Sequence, residues 1–556
     1  MKSLFTSVLL FSFLFLGFTD KTGEPHLKEN LKKHISYLAS DKLEGRFTGS
    51  KGAALARTYI EQKFKDIGLY TAPGLKSYEQ AFDFVLKKEI GKDTRLAIGD
   101  SVFKLNSDYY PLAYSSNGKV NAETVYVKFG IEAPKLDYND YKGKENLQGK
   151  IFIMEVSSPD GIHPHSKYVE YNDLPVRIET AKKHGASAIL FVNTLPMADD
   201  PDNDLNTKTP SLGIPVLFLK NDQLLKELKG KNLTLAVDIN SVKATGHNVI
   251  GFIDNNKPNT VVIGAHYDHL GHGWKGSLHA ANDSAIHNGA DDNASGVATV
   301  IELARMLKNN KNLDANNYMF IAFSGEELGL YGSKWFVDHS PIPMEKIDYM
   351  INLDMVGRLD SNEILIINGT GTSPDFSDID SLPVDGLHTK CSLSGIGPSD
   401  HSSFYLKNVP VLHFFSGTHE DYHKPSDDEY KINYDGMIKI YHYITRVITE
   451  LNGRNKLAFT KTSGSSSEGA PKFTVTLGVI PDYTYSKGGM RIDGIREGKS
   501  AEKAGIQAGD VIIKMGPVTV SDMMAYMKAL GYFKSGDSTD VILLRNTDTL
   551  KVKVHF

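Results

Sequence analysis

At 556 residues the chain is too long for one hydrophobic core and should divide into three or four domains. It carries 62 Lys+Arg against 67 Asp+Glu, and a formal charge of -5 without a concentrated basic stretch excludes a nucleic-acid polyanion as the main partner. The single cysteine, Cys391, excludes an intrachain disulfide and a thiolate metal cage, so any bound metal must rest on His, Asp and Glu.

The first element is the uncharged apolar run from Leu4 to Phe18, behind Lys2. It has the size of a signal-peptide core and is short for a membrane span, so residues 1–19 are expected to be a signal peptide and the protein to be exported, whether periplasmic, outer-surface or secreted. No small-x-small cleavage site stands out before Asp20, which keeps an uncleaved anchor as the alternative. No membrane span is expected beyond that segment.

Helical spacing then appears twice, at Leu27, Leu31, Ile35 and Leu38 and at Leu55, Ile60, Phe64 and Ile67. These helices open the N-terminal part of the main domain, 24–110. From about Gly118 short apolar runs (TVYVKF, KIFIMEV, SAILFV, IPVLFL) are broken by Gly, Pro and Asn, with one helix at Val176 to His184, and 111–243 reads as an inserted β-rich domain. From Asn248 apolar strands alternate with helices, including one over Ser295–Lys308 and a last one ending near Gly453. Segment 244–455 therefore predicts an α/β fold, a mainly parallel sheet with helices on both faces, whose ligands gather beyond the C-terminal strand ends. KTSGSSSEGA lies in a linker, 456–471, and 472–556 suffice for one small α+β domain.

Five motifs follow predicted strands. In GAHYDHLG, His266 and Asp268 share a face by the two-residue strand period, so the carboxylate can orient the imidazole. GADDNASG precedes a helix; Asp291, Asp292 or Asn293 taken singly could be an N-cap, but three exceed what one cap needs, and one is free for another role. In SGEELG the adjacent Glu326 and Glu327 point different ways, so one can bind a metal while the other faces a reacting water. Asp354 in INLDMVG sits in an apolar run where an unpaired carboxylate is costly, and His423 in EDYHKPSDD lies on a loop. Two His, two Asp and a Glu with a spare Glu could serve two divalent ions sharing a carboxylate. Such donors suit zinc, with manganese or cobalt as substitutes.

As an ordered set, GAHYDHLG, GADDNASG, SGEELG, NLDMVG and YHKPSDD resembles the co-catalytic zinc aminopeptidases typified by secreted bacterial leucyl aminopeptidases, relatives of glutamate carboxypeptidase II and glutaminyl cyclase. The likeness covers roughly residues 27–84 and 244–453. It implies two Zn2+ per chain, one held by His266, Asp292 and Asp354 and the other by Asp292, Glu327 and His423. It further implies Glu326 as general base, Asp268 as the orienting partner of His266, Tyr422 as a donor to the oxyanion, and a cis peptide from the bridging Asp292 to Asn293, with Asp291 outside the cage. Through SDHSSF it makes Asp400 a weaker candidate for contact with the substrate's amino end. The substrates so implied are peptides with a free N-terminus, with carboxypeptidase or glutaminyl cyclase-like action as the alternatives on the same scaffold. The inserted domain resembles a protease-associated (PA) domain through KGKENLQGKIFIMEV and AKKHGASAILFVN. The C-terminal region resembles a PDZ domain through KFTVTLGVIPDY and SAEKAGIQAGDVIIKMG, whose groove could take a peptide C-terminus. The chain departs from the family between His266 and Asp292, where residues 267–291 carry His272, His279 and His287; these are expected to belong to a loop at the mouth of the site and not to be zinc ligands.

Overall fold

The computed structural model describes residues 24–556 apart from 163–165, 169, 196–197, 199, 206, 208, 221, 274–275, 278, 280–283, 463–474, 482–487, 496–498, 522, 531, 534–535 and 547. The expected signal peptide, residues 463–471 of the expected linker and both ends of KFTVTLGVIPDY lie outside the described residues.

Two helices open the described chain, α1 (Glu24–Leu38) and α2 (Lys51–Ile67). Each buries one stripe at 3.6-residue spacing: Leu31, Ile35 and Leu38 on α1, and Ala56, Ile60 and Phe64 on α2. Ser50 caps α2 by accepting the Ala53 N–H, and Gly68 ends it in the left-handed conformation.

Nine strands form the main sheet: β1 (Tyr70–Thr71), β2 (Glu79–Ile90), β3 (Ile239–Ile253), β4 (Thr260–His266), β5 (Asn317–Phe323), β6 (Ile347–Leu353), β7 (Ile364–Asn368), β8 (His388–Ser392) and β9 (Val411–Phe415). Their order is β1-β3-β5-β4-β6-β9-β7-β8, with β2 also on β3. The central strands β5, β4, β6 and β9 run parallel. At one edge β1 and β2 pair antiparallel with β3, and β3 antiparallel with β5; toward the other, β7 is antiparallel to β9. The sheet is thus mixed, and the expectation of a mainly parallel one holds for its centre and for the parallel edge pair β7–β8. Buried apolar runs signal burial on both faces but carry no direction, whereas the alternating burial along β2 marks a one-sided antiparallel ribbon.

Four further helices cover the sheet: α3 (Gly296–Asn309), α4 (Tyr331–Asp338), α5 (His401–Tyr405) and α6 (Tyr434–Leu451). The two-residue strand period sends Tyr318, Phe320 and Ala322 of β5 into a core with α1, α2, α3 and α6. Met319, Ile321 and Phe323 enter a second core on the opposite face, with Phe336 of α4 and Phe404 of α5.

An eight-stranded sheet takes in Arg95–Ile98, Ser101–Val102, Tyr109–Pro111, Gly118–Tyr126, Ile151–Glu155, Ala188–Val192, Val216–Leu219 and Asn232–Val237. Its first three strands begin before residue 111, so this sheet reaches further toward the N-terminus than the expected 111–243 unit. Runs of two to four residues are too short to show a period. Near the C-terminus six strands form an antiparallel sheet with its own core around Leu477, Ile492, Ile512, Val541 and Leu543. Among the described residues no helix is long and apolar enough to cross a membrane. Cys391 is exposed on the edge strand β8.

Candidate metal centre

The five motifs meet at the C-terminal ends of the central strands. His266 is the last residue of β4 and is 1% exposed. Its Nδ1–H donates to the Asp268 carbonyl at 3.1 Å, which leaves the Nε2 lone pair 3.4 Å from Asp292 Oδ1 and 3.3 Å from Asp354 Oδ1. Asp354 directly follows β6. Asp292 lies in the buried turn before α3, ahead of a cis peptide to Asn293. Gly289 opens this turn at φ 55°, where a Cβ would stand 2.1 Å from the Asp292 carbonyl oxygen, so no other residue fits there without moving the turn. On the far side of Asp292, His423 Nε2 is 3.3 Å from Asp292 Oδ2 and 3.3 Å from Glu327 Oε2. Its Nδ1–H donates to the Gly276 carbonyl at 2.9 Å.

Charge balance in the cluster is heavily negative. Burial opposes a proton on His266, yet Asp354, Glu326 and Asp292 outweigh it and raise the imidazole well above its ordinary value. His423 behaves alike: burial is overcome by Glu327 and Asp292, which lift it to about 11. Burial raises the Glu326 carboxyl well above the carboxylate range, with Glu327 and Asp354 adding against the opposing pull of His266. Burial and the carboxylates of Asp292, Glu327 and Glu326 raise the Tyr422 phenol, which therefore remains a hydrogen-bond donor, its ring stacked 3.9 Å from that of His423.

Comparison with known proteins bears on the same stretch. Residues 248–448 match the sequence model of Peptidase family M28. The chain is similar to aminopeptidase YwaD of Bacillus subtilis, 28% identical over 309 residues that are 50% of this chain and 60% of the relative, so it spans less than two thirds of that protein's length. It is 24% identical to a probable leucine aminopeptidase 2 of Aspergillus oryzae over 67% of this chain and 69% of the relative. Among solved structures, an aminopeptidase from Aneurinibacillus sp. strain AM-1 overlays with a TM-score of 0.43 at 25% identity, covering 79% of this chain and 96% of that one.

Within the matched segment two expectations change. Asp268 lies two residues beyond His266, but β4 ends at His266, so the strand period does not carry over. The Asp268 carboxylate stands 3.9 Å from His266 Nδ1 and instead accepts the Glu326 N–H at 3.2 Å and the Thr48 hydroxyl at 2.8 Å, while its carbonyl orients the imidazole. Asp400 is 0% exposed, and burial pushes its carboxyl up to about 7, so it presents no accessible group to a substrate amine. Asp291 lies outside the cluster: Oδ1 accepts the Gly357 N–H at 2.6 Å and Oδ2 faces His419 Nε2 at 3.1 Å.

Three residues around the centre escaped the sequence reading. Asp427 accepts the N–H groups of Asp291 and Asp292 at 3.0–3.1 Å and so ties the His423 loop to the acidic turn. The buried guanidinium of Arg46 donates to the carbonyls of Leu38, Tyr267, Asn288 and Gly289, binding the α1–α2 connection to the strands that carry the site. Burial lowers its pKa to about 10, still far above neutrality. His269, 0% exposed, donates from Nδ1 to Glu327 Oε1 at 2.7 Å.

Proposed function

We propose that the chain is a zinc-dependent exopeptidase that removes N-terminal amino acids from peptides. One observation carries this reading. Two imidazoles each approach two carboxylates at 3.3–3.4 Å, and Asp292 gives Oδ1 to one group and Oδ2 to the other. Tetrahedral bonds of about 2.0–2.1 Å separate ligand atoms by about 3.3–3.4 Å, so the imidazole–carboxylate distances of both groups match the spacing of a zinc site; His269 also lies within reach of Asp292 and Glu327. The donor set is imidazole and carboxylate, and the surplus of buried carboxylates calls for positive charge. His266, Asp292 and Asp354 would hold one ion, and Asp292, Glu327 and His423 the other.

Bound there, zinc supplies Lewis acidity and acidifies a water near neutral pH. Glu326 sits with Oε2 4.0 Å from His266 Nε2, its main-chain N–H fixed by Asp268. It takes the proton from the attacking water and returns it to the leaving amine as the peptide C–N bond breaks. Tyr422 donates its phenolic proton in a hydrogen bond to the carbonyl oxygen as that oxygen gains negative charge. Aminopeptidase polarity draws support from the similar Bacillus and Aspergillus proteins, both named as aminopeptidases. In the same reading the eight-stranded unit is a PA-like domain over the site and the C-terminal unit a PDZ-like domain for a peptide C-terminus, in an exported protein.

The test is turnover of leucyl-p-nitroanilide and of matched N-free and N-blocked peptides. Wild type should cleave the N-free substrates, and Glu326→Gln should lose about 10²–10⁴-fold in kcat. Full turnover by Glu326→Gln, or cleavage of N-blocked peptides from the C-terminus, would overturn the reading.

A further inference from the structure

Glu327 and His423 stand where their own elements fix them weakly. Glu327 lies beyond the end of β5, and His423 occupies a loop at φ 55°. Both are instead gripped by described residues that lie between His266 and Asp292. Buried His269 donates from Nδ1 to Glu327 Oε1 at 2.7 Å. The Gly276 carbonyl accepts the Nδ1–H of His423 at 2.9 Å. Beyond it, His287 donates from Nδ1 to the Ala285 carbonyl at 2.9 Å and accepts the Ser277 hydroxyl at Nε2 at 2.8 Å. Ser277 adjoins Gly276, so the His287 clamp sets where that carbonyl points.

Distances separate ligands from positioners. His423 Nε2 lies 3.3 Å from Asp292 Oδ2 and Glu327 Oε2, the separation of two atoms bound to one ion. The His269 to Glu327 approach of 2.7 Å is a charge-assisted hydrogen bond, too short for two ligands of one tetrahedral ion. It occupies Oε1 and leaves Oε2 for the cation. A donor on the second atom of a ligating carboxylate fixes its orientation, and an acceptor on the second nitrogen of a ligating imidazole fixes the ring and raises its basicity.

We propose that these residues position the ligands of the second cation, with His269 orienting Glu327 and the Gly276 carbonyl, held through Ser277 and His287, orienting His423. The proposal rests on the two-zinc reading above. A loop at the mouth of the site without this role would leave metal affinity unchanged.

Zinc content and affinity test it without reference to activity. Apo-protein is titrated with Zn2+ against a chromophoric chelator for wild type, His269→Asn, His269→Phe and His287→Ala. Asn retains a donor near the position of Nδ1, whereas Phe fills the space without one. Wild type should bind two equivalents. His269→Phe should weaken the second equivalent about 10–100-fold and leave the first within about threefold, with His269→Asn close to wild type. His287→Ala should weaken the second equivalent in the same direction, which keeps the proposal testable should His269→Phe fail to fold. Unchanged second-site affinity in either His269→Phe or His287→Ala would overturn the positioning role, as would equal losses in His269→Asn and His269→Phe. A wild type that binds fewer than two equivalents would instead sink the two-zinc reading.

Discussion

The two halves of the metal cluster are built differently. Around His266, the proposed ligands include the last residue of β4 and the first residue after β6, held by parallel strands buried on both faces. Around His423, one ligand follows the SGEE turn, the other sits on a loop, and their orientation depends on His269, Gly276 and Asp427. A strand end is fixed by a ladder of hydrogen bonds that many residues share, whereas a loop ligand depends on a few side chains. The first half should therefore tolerate single changes around it, and the second should not.

The largest effect is expected where the halves join. Asp292→Asn removes a charged donor from both, so zinc affinity should fall at both positions by more than the roughly 10–100-fold that outer partners contribute. Loss of a single equivalent, measured by metal content after dialysis, would contradict a shared carboxylate. A smaller effect is expected from Asp427→Asn. Its amide would turn a donor toward the N–H groups of Asp291 and Asp292, leaving buried donors unpaired at about 1–3 kcal/mol. Thermal unfolding should show that loss, and the second zinc should weaken more than the first.

The smallest effect concerns pH. Asp421 accepts hydrogen bonds from Lys431, Ser426 and Arg358 in the loop that carries His423. Burial raises its carboxyl, but these partners outweigh it and hold the group at about 2. A depressed carboxylate stabilises the fold fully above its unfolded value of about 4 and loses that contribution as pH falls toward 2. Acid unfolding of wild type should steepen in that window relative to Asp421→Asn. Superimposable acid limbs would remove Asp421 from the account of how the loop is held.

The same contrast explains what the sequence made legible. His266, Asp354, Glu326 and Glu327 follow apolar strand runs, and a strand end in an α/β sheet is where ligands collect, so pattern and chemistry point to one place. Arg46 and Asp427 act on main-chain carbonyls and N–H groups far away in the chain, and main-chain partners leave no trace in residue type. His269 stood within GAHYDHLG, but its partner Glu327 lies 58 positions on, and spacing alone offers no register between two loops. Asp268 misled because the strand period was carried one step past the end of β4. The mixed sheet was hidden for a related reason, since direction of pairing is set by connections and not by composition.

The most direct measurement is anomalous diffraction at the zinc edge from crystals of zinc-loaded protein. The account expects two peaks, one among His266, Asp292 and Asp354 and one among Asp292, Glu327 and His423. A single peak, or a second peak coordinated by His269 in place of His423, would contradict it.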